Sequence, residues 1–410
     1  MGRRAMGRWW ARRREGVRRR RWLAANAGRP VDVLVTHAEV NDRHGTGLLL
    51  QRLFPGGAEV ATVRSGDDYD ARQEFGAFSV RVAQPGPSAE GAERQVRAAL
   101  AGASVRRLLC VPYRPEDART ALALARLRGA PLCTWVMDDR NVEVAAIPDA
   151  LLLELLARSR LRLAISPELR DAYQEKFGLP LAFVPPLIDP ALILRGPAAP
   201  APRAPARRRG VMIGNVWGQG WLARLSEVVS GTGVEIDWYS SAGLGWHALG
   251  PAELARAGVR WRPGLPDAAL VERLREAAFA VLPSGTLDAA DDHRAIARFS
   301  LPSKAVYLLA TAHLPLLVLG AGETAAARFV ARAGVGRSVP YARAAFLGAV
   351  EELVRPEVQA ELRGRAAALA PLFSAEGAGD WLWRSLAAGR ALEARWDALP
   401  GAGPSPAAGR

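Results

Sequence analysis

The sequence predicts an α/β protein built from two tandem Rossmann-like domains, each a doubly wound parallel sheet, followed by a C-terminal helix. Three observations carry that prediction. Apolar runs of strand length alternate with helical patterns along most of the 410 residues. The strand runs are nearly continuous in apolar residues, as expected of parallel strands covered on both faces. The alternation stops at a Pro/Ala-rich stretch and restarts beyond it, which suits two cores of about 150–200 residues each. Half of the residues are hydrophobic, enough to fill both.

In the first half, strands are expected at 31–36, 79–83, 107–111, 132–137, 161–165 and 181–184. Helices are expected at 48–54, 92–100, 115–128, 150–158 and 167–177. Pro115 and Pro167 open their helices, and Gly129 and Gly178 close them. The stretch 196–209 (GPAAPAPRAPARRR) has no hydrophobic period and reads as a semi-rigid linker, within a boundary set at 191–209.

Beyond it, strands are expected at 210–213, 234–239, 259–262, 279–282 and 314–319. Helices follow at 222–229, 251–256, 267–277, 303–312, 324–333, 342–353 and 358–369, with a terminal helix at 380–396. The domains are thus 31–190 and 210–375, with the terminal helix inside 376–398 and a disordered end at 399–410. The longest apolar stretch, 305–322, is interrupted by His313 and Pro315 and splits into a helix and a strand, so no segment reads as membrane-spanning.

The net charge of +14 suggests nucleic acid until its distribution is considered. Residues 1–30 hold eleven arginines and a single acid, Glu15, so most of the charge sits in a basic tail. No specific nucleic-acid partner is expected. The tail lacks the apolar segment of a secretory signal. It interleaves Trp9, Trp10 and Trp22 with arginine, which leaves two readings: an anchor on anionic lipid, or a disordered extension. The expected location is the cytoplasm, with the tail placing the chain at the inner face of the cell membrane under the first reading. Cys110 and Cys133 lie in strand-like runs and read as buried thiols, and no ligand spacing for a metal is visible.

In open α/β sheets, ligands bind beyond the carboxyl ends of the strands, so the turns that follow strands are the places to search. After the first strand comes HAEVNDRHGTG, from His37 through His44, Gly45, Thr46 and Gly47 into a helix, either a tight turn or an anion loop. Asp138 and Asp139 follow the strand LCTWVM and are placed to meet substrate hydroxyls or act as a general base, or else to cap a solvated turn. Gly214 and Asn215 end the first strand of the second half. The long polar loop 283–304 carries Asp288, Asp291, Asp292 and His293, and ends in Ser303 and Lys304 at a helix start. A cation in a first helical turn is locally unfavourable unless an anion joins it, and Lys304 is one of only two lysines against 53 arginines. Last, Gly320-Ala321-Gly322-Glu323-Thr324-Ala325 matches the Gly-x-Gly-x-x-Ala pattern, but no acid ends the following strand, so it reads as a phosphate or sugar loop and not a dinucleotide site.

The order of these pieces resembles the GT-B fold glycosyltransferases, specifically the large retaining family 4. The resemblance runs over about 160–340: Ile165-Ser166 with the helix through Tyr173, the segment FVPPLID, Ile213-Gly214, Trp261-Arg262-Pro263-Gly264, the strand FAVLPS, and Leu301-Pro302-Ser303-Lys304 with Pro315 opening the next strand. It implies transfer of a sugar from a nucleotide-diphosphate sugar to a glycan, lipid-linked or small-molecule acceptor, in a cleft between the domains, with no cofactor and no metal. The diphosphate would meet Gly214, Asn215, Ser303, Lys304 and Thr324, the sugar would lie near Asp288, Asp291, Asp292, Gly322 and Glu323, and the acceptor near His37, His44–Gly47, Asp138 and Asp139. Two departures mark a divergent member. Tyr307 and Leu308 stand where the family carries a ribose-holding glutamate, and the loop VWGQG lacks the family's basic residues, for which Arg294 and Arg298 are candidate substitutes. If configuration is retained no strong base is required, and if inverted Asp138, Asp139 or His37 would serve. A nucleotide-sugar 2-epimerase and a non-catalytic sugar-nucleotide binding protein share the architecture and remain open alternatives.

Overall fold

A computed structural model describes residues 3–69, 73, 75–82, 88–100, 103–197, 208–241, 244, 247–393 and 395–401. Residues 198–207 of the expected linker and 402–410 of the expected disordered end lie outside the described residues. The chain forms two compact units, one of Met1–Val184 with Gly377–Ala394, the other of Pro185–Glu376 with Arg395–Arg410.

Unit 1 contains strands β1 (Pro30–Thr36), β2 (Val60–Arg64), β3 (Phe78–Arg81), β4 (Ser104–Cys110), β5 (Leu132–Val136), β6 (Leu161–Ala164) and β7 (Ala182–Phe183). Its helices are α1 (Arg3–Ala25), α2 (Gly45–Leu53), α3 (Ala89–Ala99), α4 (Pro115–Arg128), α5 (Asp149–Arg158) and α6 (Pro167–Phe177). Its sheet has the order β3-β2-β1-β4-β5-β6-β7, with every pairing parallel. Helix ends fall where local chemistry sets them. Ser166 caps α6 by accepting from the Leu169 amide at 3.0 Å, and the carboxylate of Asp117 reaches back to the amides of Tyr113 and Arg114 at the start of α4.

Unit 2 contains β8 (Arg209–Ile213), β9 (Glu235–Ser240), β10 (Val259–Pro263), β11 (Phe279–Pro283), β12 (Leu316–Leu319) and β13 (Gly336–Val339). Its helices are α7 (Gln219–Val229), α8 (Pro251–Arg256), α9 (Asp267–Arg275), α10 (Arg294–Phe299), α11 (Ser303–Ala312), α12 (Ala325–Ala333), α13 (Arg343–Leu353) and α14 (Pro356–Leu369). The sheet order is β10-β9-β8-β11-β12-β13, again all parallel. Met212, Leu225, Ile236, Trp238, Phe279, Leu317 and Phe346 are among the residues of its core.

Counted from its own first strand, each sheet runs 3-2-1-4-5-6, with a seventh strand added in unit 1. The order reverses between β1 and β4 in one unit and between β8 and β11 in the other. Ligand crevices open at such reversals, outside the carboxyl ends of the strands.

Five features depart from the sequence expectation, the first being α10, which forms inside the stretch 283–304 read as a loop. β2 was not expected, because VATVR includes Thr62 and Arg64, yet all five residues are buried. Arg64 is tolerated there because Asp67, Glu15 and Ser79 take its donors. The half-buried β13 lacks an apolar run. The expected disordered tail is instead the helix α1, packed on the edge strand β3 through Trp22 against Phe78, ring centroids 5.2 Å apart. The terminal helix α15 (Ala378–Ala388) is shorter than expected and belongs to unit 1, where Trp383 stacks on Phe54 at 5.2 Å and lies 4.5 Å from the Arg107 guanidinium.

Candidate functional site

The reversal in unit 2 gathers the loops after β8, β11 and β12 and the start of α11. Gly214 leaves β8 with φ +66°, a left-handed conformation that glycine adopts freely, and a side chain there would project into open space. Its amide donates to Tyr239 O at 2.8 Å and its carbonyl accepts from Trp238 Nε1 at 2.6 Å, so the turn is fixed while its face stays uncovered. Asn215 Oδ1 accepts from Ser240 Oγ at 3.2 Å, and the Asn215 carbonyl accepts from Lys304 Nζ at 2.9 Å. Three of the residues expected to hold a diphosphate therefore converge, with half-buried Ser303 at the first position of the same helix as Lys304. Burial pushes the Lys304 ammonium down to about 8. Among the described residues no carboxylate bonds it, and its hydrogen-bond acceptor there is the neutral carbonyl of Asn215.

The acids of the 284–293 loop are placed differently from one another. Asp291 accepts from Trp221 Nε1 at 2.9 Å and from the amides of Leu287 at 3.0 Å and His293 at 3.2 Å. It packs against Gly285, where any Cβ would collide with its carboxylate. Asp291 thus folds the loop, with three of its roughly four acceptor sites taken by Trp221, Leu287 and His293. Asp292 accepts from the Gln219 amide at 3.3 Å, which places a carboxylate at the start of α7, and Asp288 is exposed, accepting from Ala290 at 3.0 Å. Asp288 and Asp292 are both exposed, and Asp288 lies 3.8 Å from the Arg224 guanidinium.

The turn after β12 lies against the same loop. Ala321 donates to Gly285 O at 2.8 Å, and a Cβ at Gly320 would come within 2.5 Å of that oxygen. Gly322 and Glu323 are exposed, whereas Thr324 is buried and caps α12 by accepting from the Ala327 amide at 3.3 Å. Thr324 thus serves as a helix cap, its hydroxyl also donating to Ala321 O at 3.0 Å. Arg298 is half-buried on α10. Trp217, at the end of the turn the sequence singles out, is 47% exposed between buried Val216 and buried Gly218, whereas Tyr341, whose hydroxyl donates to Ser284 O at 2.9 Å, was missed as a member of the site. Tyr307, where the resemblance expects a carboxylate, donates its hydroxyl to Asp267 at 2.9 Å.

The reversal in unit 1 gathers a second cluster. The His37 ring lies 4.1 Å from that of Tyr113. The Tyr113 hydroxyl pairs with Thr46 Oγ1 at 2.9 Å and donates to Asp138 Oδ2 at 2.7 Å. Arg140 Nε donates to Tyr113 O at 3.0 Å and its guanidinium lies 5.8 Å from the Tyr113 ring. Burial, then the charges of His44, Arg114 and Arg140, hold His37 down to about 3, so its imidazole stays neutral and is a weak base. Tyr113, which joins His37, Thr46 and Asp138, was not anticipated; the Pro-Tyr-Arg turn after the strand LLCV was the available signal.

Three other expected members of this cluster are structural. Asp139 is buried, and its two oxygens accept from the amides of Asn141 at 2.9 Å, Val142 at 2.7 Å and Glu143 at 2.8 Å, so it folds a turn and is not free to act as a base. His44 caps α2, donating Nε2–H to Glu39 O at 2.7 Å and accepting from the Gly47 amide at 3.4 Å. Gly47 is buried where a Cβ would strike the Asn41 carbonyl, so its smallness serves packing, while Gly45 is exposed at the first turn of α2.

No family model matches the chain, and no curated protein matches it. Solved structures do. Anabaena HepE in complex with UDP-glucose superimposes with a TM-score of 0.60 at 11% identity, covering 87% of this chain and 99% of that one. WaaG, a glycosyltransferase involved in lipopolysaccharide biosynthesis, gives 0.55 at 12% identity over 85% and 97%. The α,α-trehalose 6-phosphate synthase of Burkholderia multivorans gives 0.57 at 12% over 88% and 96%. What the chain shares with them is the fold, two parallel doubly wound α/β units in tandem, which is the GT-B architecture of glycosyltransferases.

Proposed function

We propose that this protein is a glycosyltransferase that takes a nucleotide-diphosphate sugar in unit 2 and presents an acceptor alcohol at unit 1. The observation that carries the reading is Lys304, a half-buried ammonium at a helix start, held to the Asn215 carbonyl beside the uncovered face of Gly214. An ammonium has three donors, and a phosphate is the ligand that relieves an unpaired cation in a first helical turn. The UDP and UDP-glucose complexes of HepE, a protein of the same fold, support a uridine donor as the first to test.

In the transfer, negative charge grows on the leaving diphosphate as the anomeric C–O bond breaks. Lys304 and the amides at the start of α11 meet that charge, and no metal is assigned a step. Glu323 and Asp288, both exposed beside this site, are the groups nearest to hand for sugar hydroxyls. The acceptor binds among Thr46, Tyr113 and Asp138. Retention of configuration needs no strong base. If the reaction inverts instead, Asp138 is the base, since Asp139 is committed to its turn and His37 is too weakly basic. The acceptor is a glycan, a lipid-linked glycan or a small alcohol, and the protein acts in the cytoplasm with peripheral contact to an anionic membrane.

A thermal-shift series with UDP-, GDP-, TDP- and CMP-sugars tests the donor reading. Stabilisation by at least one nucleotide sugar is expected. A flat series would remove the donor site from unit 2.

A further inference from the structure

The two faces of α1 carry different chemistry. One face holds the helix to the edge of the unit 1 sheet. Glu15 pairs with buried Arg64 at 3.0 Å, Arg12 pairs with Asp67, Arg18 donates to Gly76 O at 2.6 Å, Arg19 donates to Ala99 O at 3.1 Å, and Trp22 packs on Phe78. These positions recur at helical spacing and define the inward side.

Among the described residues the opposite face has no such partners. Met6, Trp9 and Trp10 are 50%, 48% and 50% exposed, and they are three of the six large hydrophobic side chains exposed among the described residues. Arg13, Arg20 and Arg21 are exposed on the same side, Arg20 and Arg21 lying about two helical turns beyond Arg13. The one acid of residues 1–30, Glu15, is turned inward to Arg64, so the outward face is purely cationic and apolar. Contiguous exposed apolar groups of this kind mark an interaction surface.

We propose that this outward stripe of α1 docks on an anionic lipid surface. The proposal deepens the peripheral membrane contact stated in the functional reading by fixing which face makes it, and it does not depend on the donor site. Charge complementarity selects the partner: the indoles enter the interfacial layer while the guanidinium groups meet headgroup phosphates. Arg13 covers both indoles, its guanidinium 5.5 Å from the Trp9 ring and 5.6 Å from the Trp10 ring. The two indoles stand edge to face at 80°, so they offer no pair of open parallel faces for nucleic-acid bases. Among the described residues no helix is long and apolar enough to cross a membrane, and a helix lying in the interface is consistent with that.

The test is flotation of the full chain with vesicles of phosphatidylglycerol and phosphatidylcholine, against vesicles of phosphatidylcholine alone. Wild type is expected to float with the anionic vesicles and to release as salt rises. R13Q/R20Q/R21Q should lower the partition coefficient on the order of a hundredfold, and W9S/W10S should lower it as well. R12Q/R18Q, on the inward face, serves as the control for loss of charge alone, and an unchanged circular-dichroism melt shows that each variant folds. If wild type floats and the outward and inward variants lose equally, the assignment of the face is overturned. If wild type fails to float, or floats equally on neutral vesicles, membrane contact itself is overturned. Binding of duplex DNA in preference to anionic vesicles, or dimerisation lost in W9S/W10S, would also overturn it in favour of another partner.

Discussion

Lys304 links the charge of unit 2 to a pH dependence with a definite sign. Its ammonium is held near 8 when folded, against 10.5 in the unfolded chain. The charged form binds phosphate, so affinity for a nucleoside diphosphate is expected to be full below pH 8 and to fall as pH rises through it, as measured by calorimetry. Folding responds oppositely, because between 8 and 10.5 the unfolded chain binds more protons at this lysine, and its contribution to stability rises with pH. A binding curve that stays flat across pH 8 would separate Lys304 from the donor. The adjacent aspartates of unit 1 make a second test. Asp139→Asn should cost about 2 kcal/mol of stability, because three backbone amides lose a charged acceptor. Asp138→Asn should leave the melting temperature close to wild type and act on turnover. The sequence placed both acids after a strand but could not separate them, since which way neighbouring side chains of a turn point is decided by the amides that fold over them.

At the scale of elements, punctuation was legible and partnership was not. The helices opened by Pro115 and Pro167 and closed by Gly129 and Gly178 lie where the sequence puts them, because these residues act on their own backbone. β2 was invisible for the opposite reason. Its buried Arg64 is satisfied by Glu15, 49 residues away along the chain, and by Asp67. α1 escaped notice with it, since its inward contacts are ion pairs and carbonyl bonds rather than an apolar stripe. Arg64→Ala should therefore cost about 3 kcal/mol in a chemical denaturation series, because it leaves Glu15 without its cation and strips Asp67 of one of its two close arginines, Arg12 being the other. The terminal helix makes the same point. Its existence could be read locally, but its place in unit 1 comes from Trp383 on Phe54 and Arg107. Trp383→Ala should lower stability by about 3 kcal/mol while leaving nucleotide binding by unit 2 unchanged.

At the scale of the molecule, one strand order is used twice, and each reversal in that order gathers polar groups of a different kind. In unit 2 it assembles an uncovered glycine turn, a helix start and a half-buried ammonium. In unit 1 it assembles hydroxyls, a carboxylate and a neutral imidazole. The sequence foresaw the two units because alternating apolar strands and helices are a local signal repeated many times, and the fold is shared with glycosyltransferases at 11–12% identity. The binding roles proposed for Gly214, Asn215 and Lys304 rest on that order and on their convergence at one reversal. The most direct test is isothermal calorimetry of wild type and Lys304→Ala with UDP and with uridine. The account predicts that the substitution weakens UDP by at least about tenfold and leaves uridine nearly unchanged. Equal losses for both ligands, or a wild type that binds neither UDP nor another nucleoside diphosphate, would contradict it.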